Sequence, residues 1–280
     1  IQYEDAALTR VLGFVALAII LAEGGFTTRW DAIRPVLGRS LMLATVGVAV
    51  SVAVTAGFLH FLLDLDLRTS LLFGAVVSST DAAAVFSVLR RLPIKRRVSS
   101  TLEAESGLND PLAILLVTLL ASDGWDTLNP WSTAGLVAYE LVGGVLIGLA
   151  VARLGQEMLR RVALPSSGLY PVATVALAML AFAAAGAVEA SGFAAIYVAA
   201  LWLGNADLPH RSTTVGFVEA LGWIAQIGLF VLLGLLASPD RLLEALPTAL
   251  VLGTVLLVLA RPASVVLSTF LFRVGVREQA

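Results

Sequence analysis

Apolar segments of about twenty residues follow one another along almost the whole chain, separated by short connections that hold most of its charge. A helix of that length spans the hydrocarbon core of a bilayer. Hydrophobic residues make up 59% of the 280 residues and charged residues only 14%, against about 25% charged residues in soluble domains. The alternating pattern of barrel strands is missing. The sequence therefore predicts an all-α, polytopic transmembrane helical bundle.

Nine hydrophobic segments are predicted, and the charges between them orient the chain. The segments are residues 6–22, 35–63, 68–90, 99–121, 131–155, 168–187, 191–204, 212–237 and 241–272. Arg and Lys concentrate in cytoplasmic connections. They occur here in alternate connections, at Arg29, Arg34 and Arg39; Arg90, Arg91, Lys95, Arg96 and Arg97; Arg153, Arg160 and Arg161; Arg211; and Arg273 with Arg277. This pattern puts residue 1 on the extracellular or periplasmic side of a cell (plasma or inner) membrane.

Several partners and chemistries are not expected. No basic patch interleaved with aromatic residues suggests nucleic acid. The chain has no cysteine, so it forms no disulfide and no thiolate metal site. No Gly-x-x-x-x-Gly-Lys phosphate loop is present, and no cofactor is expected. Both ends look like the middle of a longer chain, since the first residues include no initiator Met and no basic leader.

The third segment contains the polar run Ser78-Ser79-Thr80-Asp81. A charged side chain at the centre of a bilayer costs about 2.5–3.5 kcal/mol, so such residues mark functional sites by default. Neighbouring hydroxyl and carboxyl side chains also compete with the backbone for hydrogen bonds. The run therefore predicts a helix that is unwound near residues 78–82. The alternative is a polar contact between two intact helices.

The fourth segment carries a second polar cluster. On a helix, Ser106 lies one turn before Asp110, and Glu105 lies one turn before Asn109, so the four side chains form neighbouring rows. Pro111 has no N–H, which leaves a carbonyl one turn earlier without its helical donor. Carboxylate, hydroxyl and carbonyl oxygens suit a dehydrated monovalent cation. The alternative is a polar network that only holds the bundle together.

Charge balance predicts a partner for one of these carboxylates. Glu105 and Asp110 cannot both stay ionised in a low-dielectric interior without a counter-charge. Arg261 lies deep in the ninth segment and is the predicted partner of Glu105, which leaves Asp110 free to bind a proton or a cation. Alternatively, Arg261 extends to the membrane interface. Glu23, at the end of the first segment, is either a cavity carboxylate or an interfacial one.

Together these motifs resemble the monovalent cation/proton antiporter superfamily, which contains bacterial sodium or potassium/proton antiporters and the animal sodium/proton exchangers. The resemblance rests on Thr80-Asp81, on residues 105–111 (Glu-Ser-Gly-Leu-Asn-Asp-Pro), on residues 21–25 and 230–235, and on Arg261-Pro262. It implies a thirteen-helix fold with an inverted repeat, of which the chain would supply helices three to eleven, and a homodimer. One departure concerns the unwound motif, where Ala82 replaces the usual proline.

The resemblance also implies a division of the chain. Residues 1–67 would form N-terminal helices of the dimerisation or scaffold side, and 68–165 the core transport helices. Residues 166–240 would form scaffold or interface helices, and 241–280 a core helix with Arg261.

By the same resemblance, Asp110 binds a cation or a proton. The implied ion and proton site is Asp110, Asp81, Thr80, Ser106 and Glu23, with the monovalent cation at Asp110, Ser106, Thr80 and Asp81. The implied structural triad is Glu105, Asn109 and Arg261.

The implied function is secondary active transport and not enzymatic catalysis. Sodium or potassium, with lithium as a third candidate, would exchange for a proton by alternating access. Asn109, in place of a second Asp, resembles the electroneutral branch. The alternatives are a passive cation channel and an intramembrane aspartyl hydrolase with Asp81 and Asp110 as its acid/base pair. The Gly-x-Gly-Asp pattern typical of such hydrolases does not occur at Asp110.

Overall fold

A computed structural model describes residues 6–80, 96–122, 129–237 and 239–270, and within these ranges every regular element is helical. The α-helices in chain order are α1 (Ala6–Thr27), α2 (Trp30–Ile33), α3 (Leu37–Met42), α4 (Val48–Leu62), α5 (Leu67–Ser78), α6 (Arg96–Ala121), α7 (Pro130–Arg161), α8 (Leu169–Gly186), α9 (Gly192–Asn205), α10 (Arg211–Leu236), α11 (Pro239–Val255) and α12 (Arg261–Thr269). A 3₁₀ turn occupies Arg34–Val36, and π-helical turns occupy Leu43–Gly47 and Leu256–Ala260.

Among the described residues, seven helical segments are long and apolar enough to cross a membrane. They are Ala7–Thr27, Trp30–Leu62, Arg97–Ala121, Trp131–Arg161, Leu169–Gly186, Arg211–Leu236 and Leu242–Thr269. Leu67–Ser78 and Gly192–Asn205 are shorter apolar helices. These nine segments coincide with the predicted ones, so the polytopic helical bundle is confirmed. The predicted third segment continues beyond residue 80, outside the described residues.

The chain packs as two compact units. The first unit comprises Ile1–Trp30 and Tyr139–Glu244, and the second comprises Asp31–Ala138 and Ala245–Ala280. The sequence predicts another kind of division, between core helices that move during transport and scaffold helices that do not. Compact units defined by packing do not test that division, so it stays a prediction.

Close backbone contacts hold the first unit together. Helix α1 packs against α9 and α10, and α9 packs against α8. A Cβ added at Gly25 would lie 2.7 Å from the carbonyl oxygen of Tyr197, and one added at Gly204 would lie 2.5 Å from that of Phe26. Small residues at helix crossings permit this close approach. The van der Waals contacts that result stabilise the packing in lipid, where no hydrophobic driving force brings helices together.

In the second unit, α4 and α5 form an antiparallel pair. Asp66 caps α5, because its carboxylate accepts the N–H of Thr69 at 2.9 Å. This hydrogen bond holds the pKa of Asp66 below its ordinary value. Further along α5, a Cβ added at Gly74 would lie 2.9 Å from the carbonyl oxygen of Val52. The glycine therefore lets the two helices pack at backbone distance.

Helix α6 is tied to two other helices of the second unit. The guanidinium of Arg68, at the start of α5, donates to the carbonyls of Leu120 at 2.8 Å and Ser122 at 2.9 Å, at the end of α6. Carbonyls at a helix end have no partner within the helix, so the arginine satisfies them. Ser40 of α3 donates to the carbonyl of Thr101 at 3.1 Å. Helices α5 and α6 thus run antiparallel, and the far end of α5 lies beside the middle of α6.

Candidate ion-binding site

The site begins where α5 ends. The helix stops at Ser78, and Ser79 has an extended backbone with φ −76° and ψ 145°. This is the start of the stretch that the sequence predicts to be unwound. Asp81 and Ala82, which continue it, lie outside the described residues. The change of backbone direction brings Ser79 and Thr80 against the part of α6 that carries the second polar cluster.

Thr80 lies at the centre of the contacts between the two segments. Its hydroxyl donates to Oε2 of Glu105 at 3.3 Å and accepts from Nδ2 of Asn109 at 3.0 Å. Ser106 donates to the carbonyl oxygen of Thr80 at 3.2 Å, and the two hydroxyl oxygens are also 3.2 Å apart. The end of α5 is therefore attached to α6 by side-chain and backbone hydrogen bonds together.

Glu105 contacts both Asn109 and Arg261. Nδ2 of Asn109 donates to Oε1 of Glu105 at 3.1 Å, and Nη1 of Arg261 lies 3.5 Å from the same oxygen. Nη2 of Arg261 donates to the carbonyl oxygen of Ser78 at 3.0 Å. The Glu105 side chain is only 6% exposed and that of Arg261 is 25% exposed. A buried carboxylate needs such a cation and donors, because desolvation otherwise costs several kcal/mol.

The backbone before Arg261 departs from a regular α-helix. The π-helical turn Leu256–Ala260 ends directly before Arg261, and Pro262 follows Arg261 in the chain. Because Pro262 has no N–H, it cannot bond to the carbonyl of Val258 as a helical residue would. A π turn inserts an extra residue and turns the following side chains relative to those of a regular helix. Arg261 is therefore placed toward Glu105 by a local irregularity.

Asp110 lies one turn beyond Ser106 and directly before Pro111, and it is partly buried. Its Oδ1 accepts the hydroxyl of Ser79. The same hydroxyl lies 3.4 Å from Oδ1 of Asn109. The comparison of motifs did not point to Ser79, although it belongs to the polar run at residues 78–81. The available signal was its position at the predicted break in the helix, where a side chain can leave its own helix and reach the facing segment.

Glu23 lies in the first unit, on α1, and is partly buried. A Cβ added at Gly222 of α10 would lie only 2.7 Å from Cγ of Glu23, so the glycine makes room for this side chain. Thr27 donates to the carbonyl oxygen of Glu23 at 2.9 Å. Asp110 belongs to the second unit. The participation of Glu23 in one site with Asp110 stays a prediction.

The described part of the cluster offers oxygen atoms of three kinds: the Asp110 carboxylate, the hydroxyls of Ser79, Thr80 and Ser106, and the carbonyl of Thr80. Oxygen atoms of this kind can replace the hydration shell of an alkali cation. The carboxylate can equally hold a proton. The arrangement therefore supports competition between a cation and a proton.

Comparison with known proteins identifies the family. The model of the sodium/hydrogen exchanger transmembrane family matches residues 3–280. The chain belongs to the sodium/hydrogen exchanger family. This confirms the resemblance to monovalent cation/proton antiporters, and it places the chain in a family of membrane transporters.

Curated relatives of the chain are named as antiporters. It is 38% identical over 282 residues to the K(+)/H(+) antiporter NhaP of Alkalimonas amylolytica, an alignment that covers 100% of this chain and 49% of the relative. It is 36% identical over 276 residues to the K(+)/H(+) antiporter NhaP2 of Shewanella sp. (strain MR-4), covering 98% of this chain and 48% of the relative. The chain spans about half the length of these relatives.

A solved structure shares the fold. The sodium proton antiporter MjNhaP1 from Methanocaldococcus jannaschii superposes with a TM-score of 0.84 at 24% identity, covering 96% of this chain and 68% of that one. The chain thus shares its all-helical fold with this solved structure.

Proposed function

We propose that the protein exchanges a monovalent cation, potassium or sodium, for a proton across the membrane, and that Asp110 binds either ion. The contact between Asp110 and the hydroxyl of Ser79, within a cluster of oxygen atoms on two helices, carries the proposal. The names of the curated relatives, which are K(+)/H(+) antiporters, support the choice of substrates. The protein has a transport function in this proposal and no enzymatic one.

The role of exchanging carboxylate falls to Asp110 because Glu105 is already engaged. One oxygen of Glu105 is held by Arg261 and Asn109, and the other accepts from Thr80. Arg261 also donates to the carbonyl of Ser78, so it ties the end of α5 to this carboxylate. Glu105, Asn109 and Arg261 form the structural part of the site, and they keep Ser79 and Thr80 in place beside Asp110.

Coupling follows from the cost of a buried charge. An ionised Asp110 carrying neither ion costs several kcal/mol in a low-dielectric environment. A bound cation or a bound proton removes that charge. The transport helices therefore change their exposure from one side of the membrane to the other only when Asp110 is occupied. Each crossing in one direction with a cation is matched by a return with a proton.

The proposed exchange is electroneutral. Asn109 stands directly before Asp110, where its uncharged amide donates to Glu105 and Thr80. With a single exchanging carboxylate, one cation replaces one proton. Transport should then be independent of an imposed membrane potential, and a dependence on potential would contradict the stoichiometry.

Other parts of the proposal extend beyond the described cluster. Asp81, which follows Thr80 directly in the chain, is the further cation ligand of the proposal, and Glu23 is its further ion- or proton-binding carboxylate. Lithium is a further substrate. The chain lies in a cell membrane with residue 1 outside, as the distribution of Arg and Lys indicates. It forms a homodimer in this proposal. Trp223, Ile227 and Phe230 are exposed apolar residues on one side of α10, where either a second copy of the chain or lipid can cover them. Cross-linking in native membranes would distinguish a dimer contact from a lipid-facing surface.

Proteoliposomes test the proposal. The full-length protein is reconstituted with a trapped pH dye, and potassium, sodium or lithium chloride is added in turn outside. We expect a cation-dependent change of internal pH that an Asp110→Asn variant does not produce. Entry of tracer cation without any change of pH would contradict antiport and indicate a passive channel.

A further inference from the structure

Ser79 has one hydroxyl proton and two acceptors within reach. The hydroxyl donates to Oδ1 of Asp110 and lies 3.4 Å from Oδ1 of Asn109. The orientation of the Asn109 amide is fixed by its other contacts, since Nδ2 faces the acceptor Glu105 and the hydroxyl of Thr80. Its Oδ1 therefore faces Ser79 as an acceptor. A serine hydroxyl donates one hydrogen bond at a time and keeps two lone pairs for other partners.

We propose that the Ser79 hydroxyl is a specificity-determining ligand of the exchange site, which changes its hydrogen-bond partner according to the occupant of Asp110. This inference rests on the proposed function. When Asp110 is an empty carboxylate, Ser79 donates to it. When Asp110 holds a cation or a proton, Ser79 turns its proton to Asn109 and offers a lone pair to that ion or to the carboxyl O–H.

The backbone explains why this serine has the role and its neighbour does not. Ser79 is the first residue after α5 and is extended, so its side chain leaves the helix and reaches α6. Ser78 is the last residue of α5, and its hydroxyl donates to the carbonyl of Ala75 at 2.9 Å, within its own helix. Two adjacent residues of the same type thus differ in the contact that the proposal requires. Ser78 is the matched control.

Removing the Ser79 hydroxyl should weaken the binding of a cation at Asp110 relative to the binding of a proton. In the cation-bound site the Ser79 hydroxyl supplies an oxygen ligand to the ion, whereas in the protonated site it only accepts the carboxyl O–H, so its loss costs the cation more than the proton. We expect Ser79→Ala to raise the cation concentration for half-maximal exchange about tenfold at fixed pH, and to move the half-maximal pH upward. The maximal rate at saturating cation should stay near that of the wild type. Ser79→Thr keeps the hydroxyl and should restore the wild-type values.

The experiment compares wild type, Ser79→Ala, Ser79→Thr, Ser78→Ala and Asp110→Asn of the full-length protein in proteoliposomes. Exchange is titrated with potassium and sodium chloride at several pH values. A raised half-maximal concentration in Ser79→Ala, with unchanged values in Ser79→Thr and Ser78→Ala, supports the proposal. Equal half-maximal concentrations in Ser79→Ala and Ser78→Ala overturn it. An equal rise of the half-maximal concentration in Ser79→Ala and Ser79→Thr also overturns it.

The role of Ser79 and the proposed function can fail separately. If wild type exchanges and Asp110→Asn does not, while Ser79→Ala matches the wild type, only the role of Ser79 is refuted. If the wild type produces no cation-dependent pH change, the proposed function fails and the role of Ser79 fails with it.

Discussion

Arg261→Ala should destabilise the protein far more than the loss of an ordinary surface charge. The substitution leaves Glu105, whose side chain is 6% exposed, without its cation, and it removes the donor to the carbonyl of Ser78. Removing one partner of a buried pair costs about 3–5 kcal/mol. The Arg261 side chain is itself 25% exposed and its contact with Glu105 is long, at 3.5 Å. We therefore expect the lower end of that range, about 3 kcal/mol.

A matched control exists in the same chain. Arg161 also pairs with a glutamate, Glu157, four residues away on α7, and its Nε donates to that carboxylate at 2.6 Å. Here the side chains are 77% and 53% exposed. Pairs of this kind contribute about 0.3–0.5 kcal/mol. Arg161→Ala removes the same side chain in the same way, so a difference between the two variants measures the effect of burial.

The assay is thermal unfolding of the purified full-length protein in detergent, followed by tryptophan fluorescence. About 3 kcal/mol corresponds to a fall in melting temperature of roughly 6–12 °C for Arg261→Ala, against about 1–2 °C for Arg161→Ala. Adding Glu105→Gln to Arg261→Ala removes the uncompensated charge and should restore part of the loss. Equal shifts for the two arginine variants, or no recovery in the double variant, would refute the account of this pair.

Two further predictions concern packing and capping. Gly222→Ala should lower the melting temperature by roughly 2–12 °C, since overpacking costs about 1–3 kcal/mol and the new methyl overlaps Glu23. Gly228→Ala should not lower the melting temperature, because a Cβ added there meets nothing within 4 Å. Similar shifts in the two variants would contradict the contact between residue 222 and Glu23. Asp66→Ala should lower the melting temperature at neutral pH, because the N–H of Thr69 loses its acceptor. That hydrogen bond keeps the pKa of Asp66 below its ordinary value of 3.8, so its stabilising effect is complete above 3.8 and is lost as the pH falls through the lowered value. Melting curves from neutral pH down to about pH 3 should show the two proteins converging, and a constant difference would contradict the cap.

The membrane-spanning helices follow from the sequence because lipid imposes both their length and their composition. The predicted segments 168–187 and 191–204 appear as Leu169–Gly186 and Gly192–Asn205. Where a helix continues into water, hydropathy no longer marks its end. The predicted segment 131–155 therefore stops short of the helix, which runs from Pro130 to Arg161. Its last turn carries exposed arginines that the apolar pattern does not include.

For the candidate site, the sequence indicated which residues to consider more readily than which atoms contact one another. Charge balance alone pointed to Arg261 as the neighbour of Glu105, because few charges lie deep in the spans. The π-helical turn before Arg261 could not be predicted, since a single inserted residue hardly changes the hydrophobic pattern. The contact of Ser79 with Asp110 depends on the residue at which α5 ends. The polar run predicts a break near residues 78–82 but not the residue at which the helix ends.

Proton release on cation binding tests most directly whether the two ions compete for Asp110. The full-length protein is placed in detergent without buffer at a pH where the protonated form is populated, and potassium or sodium chloride is added while the pH and the bound cation are measured. The account predicts one proton released for each cation bound, and neither binding nor release in Asp110→Asn. Cation binding without proton release, or an unchanged release by Asp110→Asn, would contradict it.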